Sequence, residues 1–420
     1  MRVQDCQLRY ISRVRDALNR YDEKLQSINR KIWSNPELAY KEHKAHDHIC
    51  ELFAGLSSEG YTVERHAYGI ETAFEIAYSH GNASTGPGRI VAFNAEYDAL
   101  PGIGHACGHN LISTSSIAAF IATCEALKAA APSGLCYTVR LLGTPAEESG
   151  GGKIRLLERG AYKDVDACLM LHPSPIVPTA PNLLSMATPP HGGFLANDKC
   201  RVTFTGKPAH AAFAPWEGVN ALDAVVAAYM NISLLRQQIL PTQRIHGVIV
   251  NGGDRSNIIP DFASVNYSIR SPTVETLKPL TERVVKCFEA AATATGCKVE
   301  FEWGLSYLDV KPNNPLCESY VSAMRTMNHQ VLLTVPPDPE HSGGASTDMG
   351  NVSYAVPGFH GIFMIPTKGS NHTPEFAEGA KSPEAYKRAI ECAAGIAVVA
   401  CQFLEDNTFA RDVRGDFEGR

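Results

Sequence analysis

Within residues 102–112, GIGHACGHNLI, one cysteine and two histidines fall inside five positions. A disulfide cysteine needs a single partner and no neighbouring imidazoles, whereas Cys107 and His109, separated by one residue, are the soft and borderline donors that a metal ion takes together. Alone, a Cys-x-His pair is a common accident, and a lone cysteine is most often a small buried hydrophobe. Three other segments change the weight of this one. LLGTPAEESGGG carries Glu147 and Glu148, CLMLHPSP contains His172, and GSNHTPEF supplies His372. Two adjacent glutamates before a run of glycines make a poor amphipathic face, and their mutual repulsion is relieved most simply by a cation. Cys107, His109, Glu148, His172 and His372 therefore form one candidate metal cluster, and adjacent Glu147 is left to act as a base. Such a set suits metal-assisted amide hydrolysis. Two divalent ions about 3.5–4 Å apart share a water, lower its pKa and polarise the carbonyl under attack. A carboxylate beside them takes the water's proton and passes it to the departing amine.

Donors so far apart in sequence can meet only where a fold gathers several strand ends. Residues 5–58 show helical spacing broken at SNPEL, which predicts two helices. Strands follow at YTVERHAY and TAFEIAY, and then RIVAFNAEY, a helix over 110–130, CYTVRLLGT, a helix at GGKIRLLERGA, and ACLMLH alternate as strand and helix. That alternation is the signature of a mostly parallel sheet flanked by helices, whose ligands collect beyond the carboxyl ends of the strands. From about residue 194 the order becomes KCRVTFTG, a long helix, RIHGVIVNGG, SVNYSIRS, a second long helix and KVEFEWG. This spells βαββαβ, a complete ferredoxin-like unit. The expected organisation is an α/β catalytic domain over 1–193 and 308–420, interrupted by a lid or dimerisation domain over 194–307. A helix near 316–327, the strand GIFMIP and a final helix over 382–403 complete the first domain.

Composition excludes several classes. The 420 residues carry a net charge of −6 with 20% charged and 44% hydrophobic residues, and no window has the Lys/Arg density of a nucleic-acid footprint. The N-terminal stretch is charged throughout and no run reads as a membrane span, so a cytoplasmic location is expected. The 12 cysteines include Cys124, Cys168, Cys287, Cys392 and Cys401 inside apolar patterns, which fits a reducing compartment better than a disulfide framework. His43, His46 and His48 lie along a charged helix and read as a solvated face.

The segments NAEYDALPGIGHACGHN, GTPAEESGGG, LHPSP, GKPAHAAFAPWEGVNALDA and NHTPEF, in this order across residues 96–376, resemble the M20 family of metallopeptidases and amidohydrolases. The likeness is to the branch of auxin-conjugate hydrolases, aminobenzoyl-glutamate hydrolase and related dipeptidases. It implies that Cys107, His109, Glu148, His172 and His372 are the metal ligands and that Glu147 is the general base. It further implies that His210 in GKPAHAA reaches across a homodimer to steady the oxyanion. Asn257 in SNIIPD and Arg270 in YSIRSP would bind the polar and carboxylate end of the substrate. The chain departs from the family in two places. Glu96-Tyr97-Asp98 stands where the wider family has His-x-Asp, so Asp98 is expected to orient a ligand and Glu96 has no assigned role. Asn110 stands where auxin-type members have Asp. His105, His341 and Asp348 are neighbours of the motifs whose roles stay open.

The function expected is hydrolysis of a small amide, a dipeptide or an N-acyl or aminoacyl amino acid with a free carboxylate. Removal of an acyl group in small-molecule biosynthesis is one alternative, and non-catalytic binding on the same fold is another. Two divalent ions per subunit are expected; mixed Cys, His and Glu ligation points to zinc, with manganese, cobalt or nickel as alternatives. No nucleic-acid or membrane partner is expected.

Overall fold

The computed structural model describes residues 3–81, 88–188, 193–334 and 344–419, so His341 lies outside the described residues. The chain divides into two compact units. One is drawn from Met1–Pro190, Lys311–Pro337 and Asn351–Arg420, the other from His191–Val310 and Asp338–Gly350.

The first unit begins with α1 (Val3–Ser34), which folds because Tyr10, Val14, Leu18, Tyr21, Leu25, Ile28 and Ile32 recur three and four residues apart and are all buried. After α2 (His43–Ala54) come β1 (Thr62–Arg65), β2 (Phe74–His80), β3 (Arg89–Ala95), α3 (His109–Ala130), β4 (Tyr137–Gly143), α4 (Gly152–Glu158), β5 (Ala167–Pro175) and β6 (Ser185–Met186). α2 corrects one expectation. His43 is exposed, but His46 is buried, stacked on the His66 ring at 4.7 Å. The reason is its place on the stripe of Ile49, Cys50 and Phe53, one helical turn apart.

The second unit holds β7 (Ala196–Thr205), α5 (Ala221–Leu235), β8 (Arg244–Asn251), β9 (Phe262–Ser271), α6 (Val274–Thr295) and β10 (Lys298–Trp303). Its four strands lie in the order β10-β7-β9-β8, every neighbouring pair antiparallel, which is the split βαββαβ arrangement. Leu277, Leu280, Val284 and Phe288 of α6 and Ala221, Ala224, Val225 and Ala228 of α5 pack its core. Opposite that core-facing stripe, α5 exposes Val226, Tyr229, Met230 and Leu234, and edge strand β8 exposes Val248, Ile249 and Val250.

The remaining elements are α7 (Asn314–Thr326), β11 (Val331–Leu332), α8 (Met349–Ala355), β12 (Gly358–Ile365), α9 (Pro374–Ala380), α10 (Pro383–Glu405) and α11 (Asn407–Glu418). The large sheet runs β1-β2-β4-β3-β5-β12-β6-β11. Its centre, β4-β3-β5-β12, is parallel throughout, with antiparallel pairing at β1-β2, β2-β4 and β12-β6. α3 packs on α1, α10, β3 and β5. By length and composition alone α3 could cross a membrane, contrary to the expectation from sequence, but 94% of its apolar window is buried and it serves as a core helix. β6 and β11 escaped the sequence because two residues show no periodicity. α11 escaped because it is polar and docks through few side chains, Phe409 and Val413 among them.

Candidate metal centre

Parallel strands deliver their carboxyl ends to one edge of the sheet, and the candidate donors lie there. Glu96 and Asp98 follow β3, Glu147 and Glu148 follow β4, His172 sits near the end of β5, and His372 follows β12. Cys107 and His109 bracket the start of α3, and the glycine between them is a steric requirement. Gly108 has φ +82°, and a Cβ there would stand 2.5 Å from Cγ of Pro173. The Cys-Gly-His turn can therefore press directly against β5.

Cys107 Sγ lies 3.3 Å from Nε2 of His172. Nδ1 of His172 donates to the carbonyl of Pro173 at 2.7 Å, so its Nε2 is the bare nitrogen facing the thiol. Burial lowers the His172 pKa to about 4, which keeps the ring neutral and ready to ligate. His109 is held in the same manner by Asp98, whose Oδ1 is 3.0 Å from Nδ1. Its other nitrogen, Nε2, faces Glu96 Oε2 at 3.5 Å, Glu148 Oε1 at 3.8 Å and Glu147 Oε2 at 3.9 Å. His372 Nε2 stands 3.4 Å from Glu148 Oε1. Donor atoms lie within 4.8 Å of one another in three sets: Cys107 with His109 and His172, Cys107 with Glu148 and His372, and Glu96 with His109 and Glu147.

These residues fit a cation. His109 Nε2 and Glu148 Oε1 are buried atoms with no hydrogen-bond partner among the described residues, a costly state unless something positive lies between them. Burial alone would lower the pKa of His109, yet Asp98 and Cys107 hold it well above the usual range. The site thus draws a proton to the place where a metal would sit. Burial, with Glu148 adding, pushes the Cys107 thiol far up, and a bound metal would reverse this by taking the thiolate. Burial raises Asp98 too, but the His109 charge and hydrogen bond outweigh it and leave the carboxyl below its usual range. His372 has φ +68°, and its amide donates to the Ala106 carbonyl at 2.8 Å, which stitches its loop to the Cys107 turn.

The structure also occupies residues that the sequence left open or passed over. Lys153, fully buried on α4, donates from Nζ to Glu96 Oε1 at 2.6 Å. His105 turns its Nε2 to the carbonyl of Ile32 at 3.0 Å, and burial lowers its pKa to about 4. Asn110 donates to Asn29 Oδ1 and to the Ala380 carbonyl, tying α3 to α1 and α9. Asp348 is buried in the second unit and belongs to none of the three donor sets. Lys153 was missed because a lysine opening a helix after glycines reads as a solvated residue; its position behind the Glu-Glu pair was the available signal.

In the second unit, His210 is exposed, and its Nδ1 accepts from the amides of Ala212 at 3.3 Å and Phe213 at 3.2 Å. The ring proton is therefore on Nε2, leaving an outward donor. Asn257 is adjacent: its carbonyl accepts from Ala211, and Ile258 pairs with His210. Arg270 is not adjacent. It lies near the far end of β9, eight residues past Phe262, or about 25 Å at ~3.3 Å per residue. Among the described residues its Nε has no hydrogen-bond partner, and Nη1 reaches Ser346 Oγ at 3.5 Å. Asn257 and Arg270, which the family resemblance would give to the substrate, thus lie toward opposite ends of β9.

Known proteins share both the sequence and the fold. Residues 197–295 match the family model of a peptidase dimerisation domain. The chain is 40% identical to the Xaa-Arg dipeptidase of Mus musculus over 97% of this chain and 91% of that protein. It is 32% identical to a p-aminobenzoyl-glutamate hydrolase chain of Escherichia coli (strain K12), over 74% of this chain and 63% of that one. Among solved structures, a dinuclear metal-binding peptidase of the M20 family from Bacillus subtilis shares the fold with a TM-score of 0.67 at 21% identity, covering 91% of this chain and 99% of that one.

Proposed function

Because this chain belongs to the M20 family of metallopeptidases and amidohydrolases, we propose that it hydrolyses the amide bond of a dipeptide or aminoacyl amino acid with a free carboxylate. The observation that carries this reading is the pair of donor sets sharing Cys107, with the carboxylate of Glu147 3.9 Å from His109 Nε2 beside them. Cys107, His109 and His172 would hold one divalent cation and Cys107, Glu148 and His372 a second, zinc before manganese on the softness of the donors. Such cations supply Lewis acidity toward the scissile carbonyl and acidify the attacking water.

The protein's own groups do the rest. Glu147 removes the proton from the water as its oxygen bonds to the acyl carbon, and returns that proton to the amine nitrogen as the C–N bond breaks. Asp98 keeps His109 turned with its Nε2 inward. The Nε2 proton of His210 is available to the oxyanion, and the Arg270 guanidinium, which has no carboxylate partner among the described residues, is available to the substrate carboxylate. A small substrate cannot bridge about 25 Å of strand. We therefore assign His210 and Asn257 to the substrate of a second copy of the chain, apart from the substrate that Arg270 holds. The exposed apolar residues of α5 and β8 and the dimerisation-domain match support a homodimer.

The similarity to Xaa-Arg dipeptidases makes dipeptides with a C-terminal basic residue the first substrates to test. Metal content per chain is measured beside amine release from basic dipeptides, neutral dipeptides, aminobenzoyl-glutamate, N-acetyl amino acids and C-terminally amidated controls. The expected result is near two metals, cleavage of free-carboxylate substrates, indifference to amidated ones, and loss of turnover with metal retained in Glu147→Gln. Metal-free protein that cannot be reloaded, or an active Glu147→Gln, overturns the reading.

A further inference from the structure

The loop that carries Glu147 is not held by its own sequence. Ala146, the residue before it, has φ +58°, a left-handed conformation that is unfavourable for a residue with a Cβ. Something must hold it there. The carboxyl of Glu42, fully buried at the entrance to α2, accepts the Ala146 amide at 2.9 Å and the Tyr40 amide at 3.0 Å through the same Oε1. Two residues earlier, the Tyr40 hydroxyl donates to the Gly150 carbonyl at 2.7 Å. Gly150 in turn donates its amide to the Ala146 carbonyl at 2.9 Å. The fit between these parts is close. A Cβ on Gly150 would stand 2.4 Å from the Tyr40 ring and 2.7 Å from the Ala146 Cβ. On the opposite side, Asp98 Oδ2 accepts the Glu148 amide at 3.0 Å.

We propose that Glu42, with Tyr40, is a positioning residue for the general base. It holds the N–H of Ala146, and with it the left-handed backbone of the residue before Glu147, and so aims the carboxylate at the place where the attacking water is deprotonated. The inference rests on the assignment of Glu147 as base. Glu42 belongs to none of the three donor sets. Its Oε1 accepts from the backbone of the loop, and a neutral amide oxygen at the same place accepts the same N–H. This separates it from a residue needed for its charge.

The test compares Glu42→Ala, Glu42→Gln and Tyr40→Phe in the metal-loaded protein by two measurements. Amide hydrogen exchange over residues 144–152 reports the clamp without reference to activity. In Glu42→Ala it is expected to speed up at least tenfold there while the amides of α10 keep their protection, and Glu42→Gln is expected to resemble the parent. Turnover follows: kcat falls about a hundredfold in Glu42→Ala, the loss expected for a misplaced catalytic group. KM and metal content stay unchanged, Glu42→Gln recovers most of the rate, and Tyr40→Phe lies between. Parent-like exchange in Glu42→Ala overturns the clamp. Faster exchange with an unchanged kcat overturns the positioning role. An active Glu147→Gln would instead strike at the base assignment, and the exchange measurement would still decide whether Glu42 holds the loop.

Discussion

Lys153 Nζ lies 2.6 Å from Glu96 Oε1, and both side chains are buried. The second oxygen of Glu96 faces His109 Nε2 at 3.5 Å. The residue that stands where the family has a histidine is thus paired with its own buried lysine, beside the candidate metal donors. A buried pair of this kind contributes little net stability, but breaking it leaves an uncompensated charge. Lys153→Met is expected to destabilise the metal-free protein by about 3–5 kcal/mol in urea unfolding. The double variant Lys153→Met with Glu96→Leu should recover most of that loss. Equal instability of the single and double variants would show that the lysine acts through packing.

Asp98 serves two groups at once, Nδ1 of His109 and the amide of Glu148. Removing a carboxylate that orients a ligand histidine weakens metal binding by about 10- to 100-fold. Asp98→Ala should show this in competition against a chelator of known affinity, with the fold unchanged by circular dichroism. Parent-like affinity would mean that His109 keeps its orientation without help.

His210 offers a prediction that depends on where its ring acts. His210→Ala is expected to lower kcat about 10²- to 10³-fold, the usual loss of an oxyanion donor. Mixing it with inactive Glu147→Gln after subunit exchange should restore about a quarter of parental activity. A random mixture is half heterodimers, each with one site combining an intact Glu147 and an intact His210 of the partner. If His210 serves the site of its own chain, no mixture recovers activity.

Glu42 also links stability to pH. Burial, with the charge of Asp98 adding, pushes its carboxyl from an ordinary 4.5 up to about 7. The fold therefore favours the neutral acid, so this contribution is full below about pH 4.5 and is lost as pH rises toward about 7. Carboxyls held low, such as Asp98, act with the opposite sign, so the informative quantity is the difference between the parent and Glu42→Gln. Urea midpoints should show the glutamine variant gaining on the parent between pH 4.5 and 7 and keeping a constant advantage above. A pH-independent difference would place the Glu42 pKa at its ordinary value.

The sequence by itself determined the kind of chemistry and the plan of the chain. Cys107, His109, Glu147, Glu148, His172 and His372 were legible because few roles other than metal chemistry ask for those residue types after strands and beside glycines. The parallel sheet and the βαββαβ unit were legible because alternation and helical spacing are local patterns. Only the tertiary structure decided how those groups are held. Lys153 meets Glu96 across 57 residues and Glu42 meets Ala146 across 104; no spacing rule reaches that far, and each of these side chains taken alone reads as a solvated charge. Asn257 and Arg270 look like neighbours in the motif order, but an extended strand carries them apart. His46 looked solvated until the stripe of α2 that faces inward was known. Residue type sets which bonds a group can make, while the packing of distant segments selects the ones it does make.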